Sequence, residues 1–133
     1  MFIKTISIIF YYGIAQFLPT QPVPGWRVAY AIRKSLVKHI FKKTGKNIIV
    51  KKKAYFGKGA GIEIGDNSQI GESSQIGAHT KIGRDVIMAP EVIIWTISHA
   101  FDRTDIPICQ QGATDIKPVT IGDDVWIGQR AII

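Results

Sequence analysis

Isoleucine stands directly before glycine at Ile64, Ile70, Ile76 and Ile82, and the same six-residue beat runs on through Met88 and Ile94. This period rules out the two ordinary ways of laying down a chain. In an α-helix six residues advance about 600°, so the beat would scatter its isoleucines over three sides instead of one stripe. In a straight strand the positions two residues further on would share the isoleucine side, and these include Asp66, Glu72 and Arg84. A strand that bends after every aliphatic residue avoids burying those charges. The positions four residues on, Ser68, Ser74, Thr80, Val86 and Val92, are small or β-branched. Ser68 and Ile70 can then face inward with Gln69 outward between them. Gly65, Gly71, Gly77 and Gly83 are expected at the corners, where a missing Cβ relieves the backbone.

One such unit cannot bury its own isoleucine, so it must stack on copies of itself, each coil hydrogen-bonding to the next at about 4.8 Å. The expected architecture is a solenoid of bent strands. The beat is weaker upstream at Val50, Phe56 and Ile62, slips by two residues at Ile64, and resumes at Ile121, Ile127 and Ile133. The sequence closes on WIGQRAII, at the aliphatic residue that should open a further hexad. An uncapped coil exposes apolar side chains and strand edges, so the chain is expected to be a fragment that lacks C-terminal coils.

Ahead of the repeat the chemistry changes. Residues 1–55 hold eleven Lys and Arg and no Asp or Glu, whereas the remainder holds six basic and ten acidic residues, so a net +11 precedes a net −4. With 133 residues and 46% hydrophobic content, the composition suits a packed domain and not a disordered chain. Cys109 is the lone cysteine, which excludes an intrachain disulfide and a thiolate zinc site. No nucleic-acid motif accompanies the basic segment, so anionic lipid, an acidic glycan or a phosphorylated cofactor are its expected partners, not nucleic acid. Helices are expected over 2–17 and 26–43, separated by LPTQPVPG, whose prolines prohibit one continuous helix. In the second, Val28, Ile32, Leu36, Val37 and Ile40 form the expected apolar face and Arg33, Lys34, Lys38, Lys42 and Lys43 the polar one. A basic helical segment 1–46 is thus expected before a β-helix over 47–133, either packed over the end of the solenoid or resting on a membrane surface. The apolar N-terminus is shorter than the span of about 20 residues that a bilayer needs, and it has no convincing leader cleavage site.

The beat fails once. After Ile94 the next hexad should open at Ala100, but the pattern returns only at Ile121, leaving an excursion over 100–119. A loop longer than roughly 12–15 residues in a compact domain is usually functional or disordered. His99 stands at its root, where the scaffold would hold an imidazole rigidly beside a movable flap. With an ordinary pKa of about 6.5, an imidazole can take a proton from a hydroxyl; capping a coil is its plainer role. His79 is expected at an outward corner, and His39 has no assigned role. Asp102 and Asp105 can orient His99, contact an acceptor, or be solvated. Cys109 as a nucleophile lacks a neighbouring histidine in sequence. Trp95 takes a position that glycine usually holds, so its ring should project near His99, to stack on a ring-shaped ligand or to pack between subunits.

The stretches GIEIGDNSQIG, IGRDVIMAPEVII, ISHAFDRTDIPI and KPVTIGDDVWIGQRAII resemble the hexapeptide-repeat acyltransferases, and within them the sugar and capsular or exopolysaccharide O-acetyltransferases. That branch also tends to carry a helical N-terminal piece ending in a basic helix. The resemblance implies a left-handed parallel β-helix with three hexads per triangular coil, against the usual right-handed crossover. It implies direct transfer from acetyl-CoA with His99 as general base, onto a sugar hydroxyl of a surface polysaccharide or its precursor. Trp126, Gly128 and Gln129 match positions that line the acetyl-CoA cleft in the family, and Ser73 stands where relatives often place an Asn. With Trp95 and Asp102 it is the expected acceptor contact. The resemblance further implies a homotrimer with sites between subunits, in the cytoplasm or at the inner face of its membrane. The alternative is a non-catalytic β-helix, or an inactive truncated one, acting as a binding or assembly module at the membrane surface. No metal is expected, because zinc hydratases on this repeat need three histidines and only His79 and His99 lie in the solenoid.

Overall fold

The six-residue beat folds as two residues of strand followed by a bend. The computed structural model describes residues 1–133. Helix α1 (Phe2–Gly13), a 3-10 turn (Ala15–Phe17) and helix α2 (Trp26–Ile40) precede ten two-residue strands: β1 (Lys43–Thr44), β2 (Ile49–Val50), β3 (Glu63–Ile64), β4 (Gln69–Ile70), β5 (Gln75–Ile76), β6 (Lys81–Ile82), β7 (Ile87–Met88), β8 (Ile93–Ile94), β9 (Thr120–Ile121) and β10 (Trp126–Ile127). All pairings between strands are parallel and build three walls. The first is β1-β3-β6-β9. The second joins β2-β4 to β7-β10 through the Gln69 N–H to Val86 carbonyl bond. The third is β5-β8, extended by bridges from Tyr55 and Ile132. The result is the left-handed parallel β-helix that the resemblance implies.

The interior follows the hexad. Ile64, Ile70, Ile76, Ile82, Met88 and Ile94 are buried, as are Ser68, Ser74, Thr80, Val86 and Val92. Each fully buried aliphatic side chain is worth roughly 1.5–3 kcal/mol of removal from water. The inward serines are partnered across coils: Ser68 Oγ donates to the Gly83 carbonyl at 2.6 Å and accepts the Val86 N–H at 3.0 Å. Asp66 and Glu72 are half-buried and Arg84 exposed, so the bends do keep the charges out of the core.

The glycines, however, do not make the corners. The left-handed residue of each bend lies three positions after the aliphatic one, as at Asn67 (φ 58°), Ser73 (54°), His79 (59°), Asp85 (58°) and Glu91 (61°). None of Gly65, Gly71, Gly77 and Gly83 has positive φ. They are small because the next coil passes against them: a Cβ on Gly65 would stand 2.6 Å from the Gly83 carbonyl oxygen, and one on Gly71 would collide with that of Ala89. The left-handed corners between the first and second walls are braced by a side-chain ladder, Asn47 Nδ2 to Asn67 Oδ1 at 3.2 Å and Asn67 Nδ2 to Asp85 Oδ1 at 2.9 Å. Such ladders offset the cost of a left-handed L-residue.

The helices depart further from expectation. Helix α1 stops at Gly13, and α2 stops at Ile40 instead of Lys43. Phe41 turns extended and packs edge-on to Phe56, 4.9 Å between ring centroids, while the Lys42 N–H already bonds the Ile62 carbonyl at 2.9 Å. Residues 43 and 44 therefore start the first wall.

The face assignment in α2 is also corrected. Its buried side is Ala29, Tyr30, Arg33, Val37 and Ile40, whereas Val28 and Ile32 are exposed. Arg33 is fully buried and donates to the carbonyls of Val50 (2.6 Å), Ala15, Leu18 and Pro19 (each 2.9 Å). The 3-10 turn and the proline-rich linker leave carbonyls without N–H partners, and a planar guanidinium supplies several donors at once. Burial pulls its pKa below the ordinary arginine value. Two tyrosines clamp α1 over the first coil: Tyr11 donates to the Ala54 carbonyl at 2.8 Å, and Tyr12 to that of Gly57 at 3.0 Å while accepting the Phe56 N–H at 3.1 Å.

Candidate active site

The excursion leaves the wall after β8, at the corner between the third and first walls. Glu63 pairs with Lys81, 18 residues on, but Lys81 pairs with Thr120, 39 residues on, so the coil takes in 21 extra residues. The same corner carries the smaller slip two coils earlier, where Gly57, Gly59 and Gly61 all have positive φ. These excess residues do not hang loose. Thr114 donates its N–H to the Ser98 carbonyl (2.8 Å), Ala100 to that of Gly112 (3.0 Å) and Lys117 to that of Thr96 (2.7 Å). His99 sits on the resulting antiparallel ribbon, bridged to Ala113. Further out, the Gln111 amide donates to the Arg103 and Ile106 carbonyls, and Arg103 pairs with Asp105.

His99 is exposed and opens into a shallow cleft of about 350 Å³ with Trp95, Ile97, Ser98 and Ala113. Trp95 and His99 are thus brought together, with the indole 62% exposed and able to meet a planar or ring-shaped ligand. Its imidazole makes no hydrogen bond within the chain, while its backbone is held by the ribbon. Asp102 is exposed and unbonded. Asp105 is engaged by the Arg103 guanidinium, which holds its carboxyl below the usual range. Neither carboxylate bonds the imidazole. Cys109 is exposed on the 3-10 turn Ile108–Gln110, away from the cleft lining, and His79 is exposed at a corner beneath the excursion, its N–H on the Ala60 carbonyl.

The remaining expected residues lie elsewhere. Ser73 belongs to the corner between the second and third walls, in the column of Lys53, Glu91 and Arg130, with its N–H on the Lys52 carbonyl. Gly128 and Gln129 lead into that same corner, and Trp126 projects from the second wall, 80% exposed. A Cβ on Gly128 would touch nothing within 4 Å. Within one chain, therefore, Trp95, His99 and Asp102 form one group, and Ser73, Trp126, Gly128 and Gln129 another, with the third wall between them.

Two features escaped the sequence reading. Ile97, Ser98 and Ala113 line the histidine cleft, and nothing in the repeat signals them because the ribbon pairing obeys no hexad. An open groove of about 930 Å³ also runs along the first wall, where Lys43 and Lys81 meet Lys34 and Lys38 of α2. The coil spacing could have aligned Lys43, Glu63 and Lys81, but only tertiary packing brings α2 beside them. Glu63 is paired there with Lys42 at 2.8 Å, which lowers its pKa.

Residues 61–94 match the family described as bacterial transferase hexapeptide (six repeats). Over 103 residues, 76% of the chain, the sequence is 32% identical to galactoside O-acetyltransferase of Escherichia coli (strain K12), covering 49% of that protein. The chain carries the hexapeptide repeat of these transferases. Two solved structures share the fold of this hexapeptide-repeat chain over 98% of its length: a galactoside acetyltransferase in complex with coenzyme A (TM-score 0.76, 26% identity, 61% of that chain) and a maltose O-acetyltransferase from Clostridium difficile 630 (TM-score 0.70, 25% identity, 63% of that chain). The chain spans about half the length of the curated relatives it matches, 53% and 49%. The matched segment 61–94 ends where the excursion begins, so it covers the scaffold and not the histidine ribbon.

Proposed function

We propose that this chain carries the acetyl-transfer site of an acetyl-CoA-dependent O-acetyltransferase whose acceptor is a sugar hydroxyl of a surface polysaccharide or its precursor. The observation that carries the reading is His99: an exposed imidazole on a backbone fixed by the ribbon, facing a cleft beside the Trp95 indole. In this reading the imidazole takes the hydroxyl proton as the acceptor oxygen bonds to the thioester carbonyl carbon. The tetrahedral intermediate then breaks its C–S bond, and the proton on His99 passes to the departing thiolate. Trp95, Asp102 and Ser73 are the proposed acceptor contacts. Trp126, Gly128 and Gln129 are the proposed donor contacts. The names of the relatives, galactoside and maltose O-acetyltransferase, and the coenzyme A bound to one of them, support the substrate classes.

The separation of the two residue groups supports assembly as a homotrimer, with the His99 group of one copy meeting the Gly128 group of the next. In this reading residues 1–46 serve attachment and 47–133 the chemistry, and the charge of the basic segment supports a position at the cytoplasmic face of a membrane. No helix is long and apolar enough to cross one. The competing reading, a non-catalytic binding module, is favoured by that same separation if the chain remains a monomer.

His99→Ala is expected to lower acetyl-CoA-dependent transfer to a saccharide by about 10² to 10⁴-fold while leaving the circular dichroism unchanged, since the side chain is exposed. An unchanged rate would sink the assignment. Mixing unfolded His99→Ala with Gly128→Arg and refolding them together should restore part of the activity that neither variant has alone. No restoration would place the two groups outside a shared site.

A further inference from the structure

Helix α1 is clamped by its tyrosines on one side and bare on the other. Phe2, Ile3, Ile6, Ile9 and Phe10 are 38% to 79% exposed, and at helical spacing they fall within about 120° of the circumference. Ile14 (56%) and Phe17 (61%) prolong the surface beyond the helix end. No charged residue occupies that outer side. An apolar face of this kind, contiguous on a well-anchored helix, is a docking surface and not a scatter of exposed residues. With 12 residues α1 reaches about 18 Å, well short of a hydrocarbon core of about 30 Å.

We propose that α1 lies in the plane of an anionic lipid monolayer with this face inserted among the acyl chains. The inference rests on the proposed peripheral attachment and alters its means: apolar insertion holds the protein, and lysines only direct it. Charge selects the partner. Lys53, whose N–H is on the Gln16 carbonyl at 2.9 Å, and Lys58, next to the Gly57 that receives the Tyr12 hydroxyl, flank the far end of the helix. Both are exposed and neither belongs to an ion pair. No carboxylate occurs in residues 1–55 to repel a phosphate headgroup. A two-fold contact between copies through this face would instead set one +11 segment against another. Interfacial helices combine these traits, an apolar face and a basic surround on a length too short to span.

Sedimentation of the full chain with phosphatidylglycerol–phosphatidylcholine vesicles and with phosphatidylcholine vesicles, without acetyl-CoA, tests this apart from the chemistry. The wild type should bind both, the anionic vesicles more tightly. Phe2→Asp and Ile9→Asp, at positions 79% and 63% exposed, should each weaken binding to both lipids by about 10-fold or more. Lys53→Glu with Lys58→Glu should remove only the preference for anionic vesicles, as high salt should. Binding that salt abolishes and the Asp variants leave intact would overturn insertion while sparing electrostatic attachment. Failure of the wild type to bind either vesicle would overturn both. If the Asp variants instead lower the particle mass in light scattering and leave vesicle binding as it was, the face is a contact between copies and the proposal fails.

Discussion

The β-helix wall and the helical cap over its first coil obey different rules. In the wall, Ile64 through Ile94 are buried at every sixth position because each residue's neighbours are its equivalents one coil above and below. In the cap, the helical period points the wrong way: Arg33 is inside while Val28 and Ile32 are out. The difference lies in who the neighbours are. A repeat supplies its own partners, so local pattern decides burial. A cap meets foreign groups, and four inward-facing carbonyls at its base bind a guanidinium more strongly than they tolerate an aliphatic side chain.

Replacing the residue that contradicts the pattern should have the largest effect. Arg33→Ala is expected to cost roughly 4 kcal/mol in denaturant titrations, because it removes the guanidinium from four carbonyls, of which only that of Ala15 keeps a backbone N–H, and leaves a cavity beside them. A loss below about 1 kcal/mol would mean that solvent replaces the guanidinium and that the cap is less dry than the wall. Arg33→Lys should recover only part, since a point ammonium cannot reach carbonyls of three segments together.

The wall can be broken at its coil spacing. Gly71→Ala is expected to cost about 3 kcal/mol, as its Cβ meets the Ala89 carbonyl of the next coil. Gly128→Ala, with open space around it, should stay within about 0.5 kcal/mol. Equal effects at the two glycines would show that conformational freedom, and not coil contact, selects them.

The smallest expected effect concerns the clamp between cap and wall. Tyr12→Phe should cost about 1 kcal/mol through its lost hydrogen bonds. Burial is the main reason that the Tyr12 phenol is pushed up to about 12 from 10.0. Because the folded-state value is the higher one, the stability tied to the neutral phenol is intact below pH 10 and is lost as the pH rises from 10 through about 12. Unfolding followed against pH should therefore fall less steeply across that window in the Phe variant, and an unchanged slope would show the clamp to be solvated.

Much of the scaffold was legible: the period, the inward Ser68, Ser74 and Thr80, the slip before Ile64 and the excursion before Ile121. The corners were misread because glycine invites the left-handed reading even where inter-coil distance is what demands it, although Asn67, His79 and Asp85 are of the residue types that adopt left-handed backbone most readily after glycine. Of the candidate site, the position of His99 and the proximity of Trp95 could be anticipated. That Ser73, Trp126, Gly128 and Gln129 lie beyond the third wall could not, since a linear repeat conceals which corner a hexad occupies.

The sequence by itself determined the solenoid, because a side chain whose neighbours repeat with the chain needs no distant partner to decide its burial. Only the tertiary structure decided the burial of Arg33, the bare face of α1 and the division of the candidate site between two corners. Each depends on groups from separate segments meeting in space, where unpaired carbonyls, charge and coil geometry outweigh local pattern.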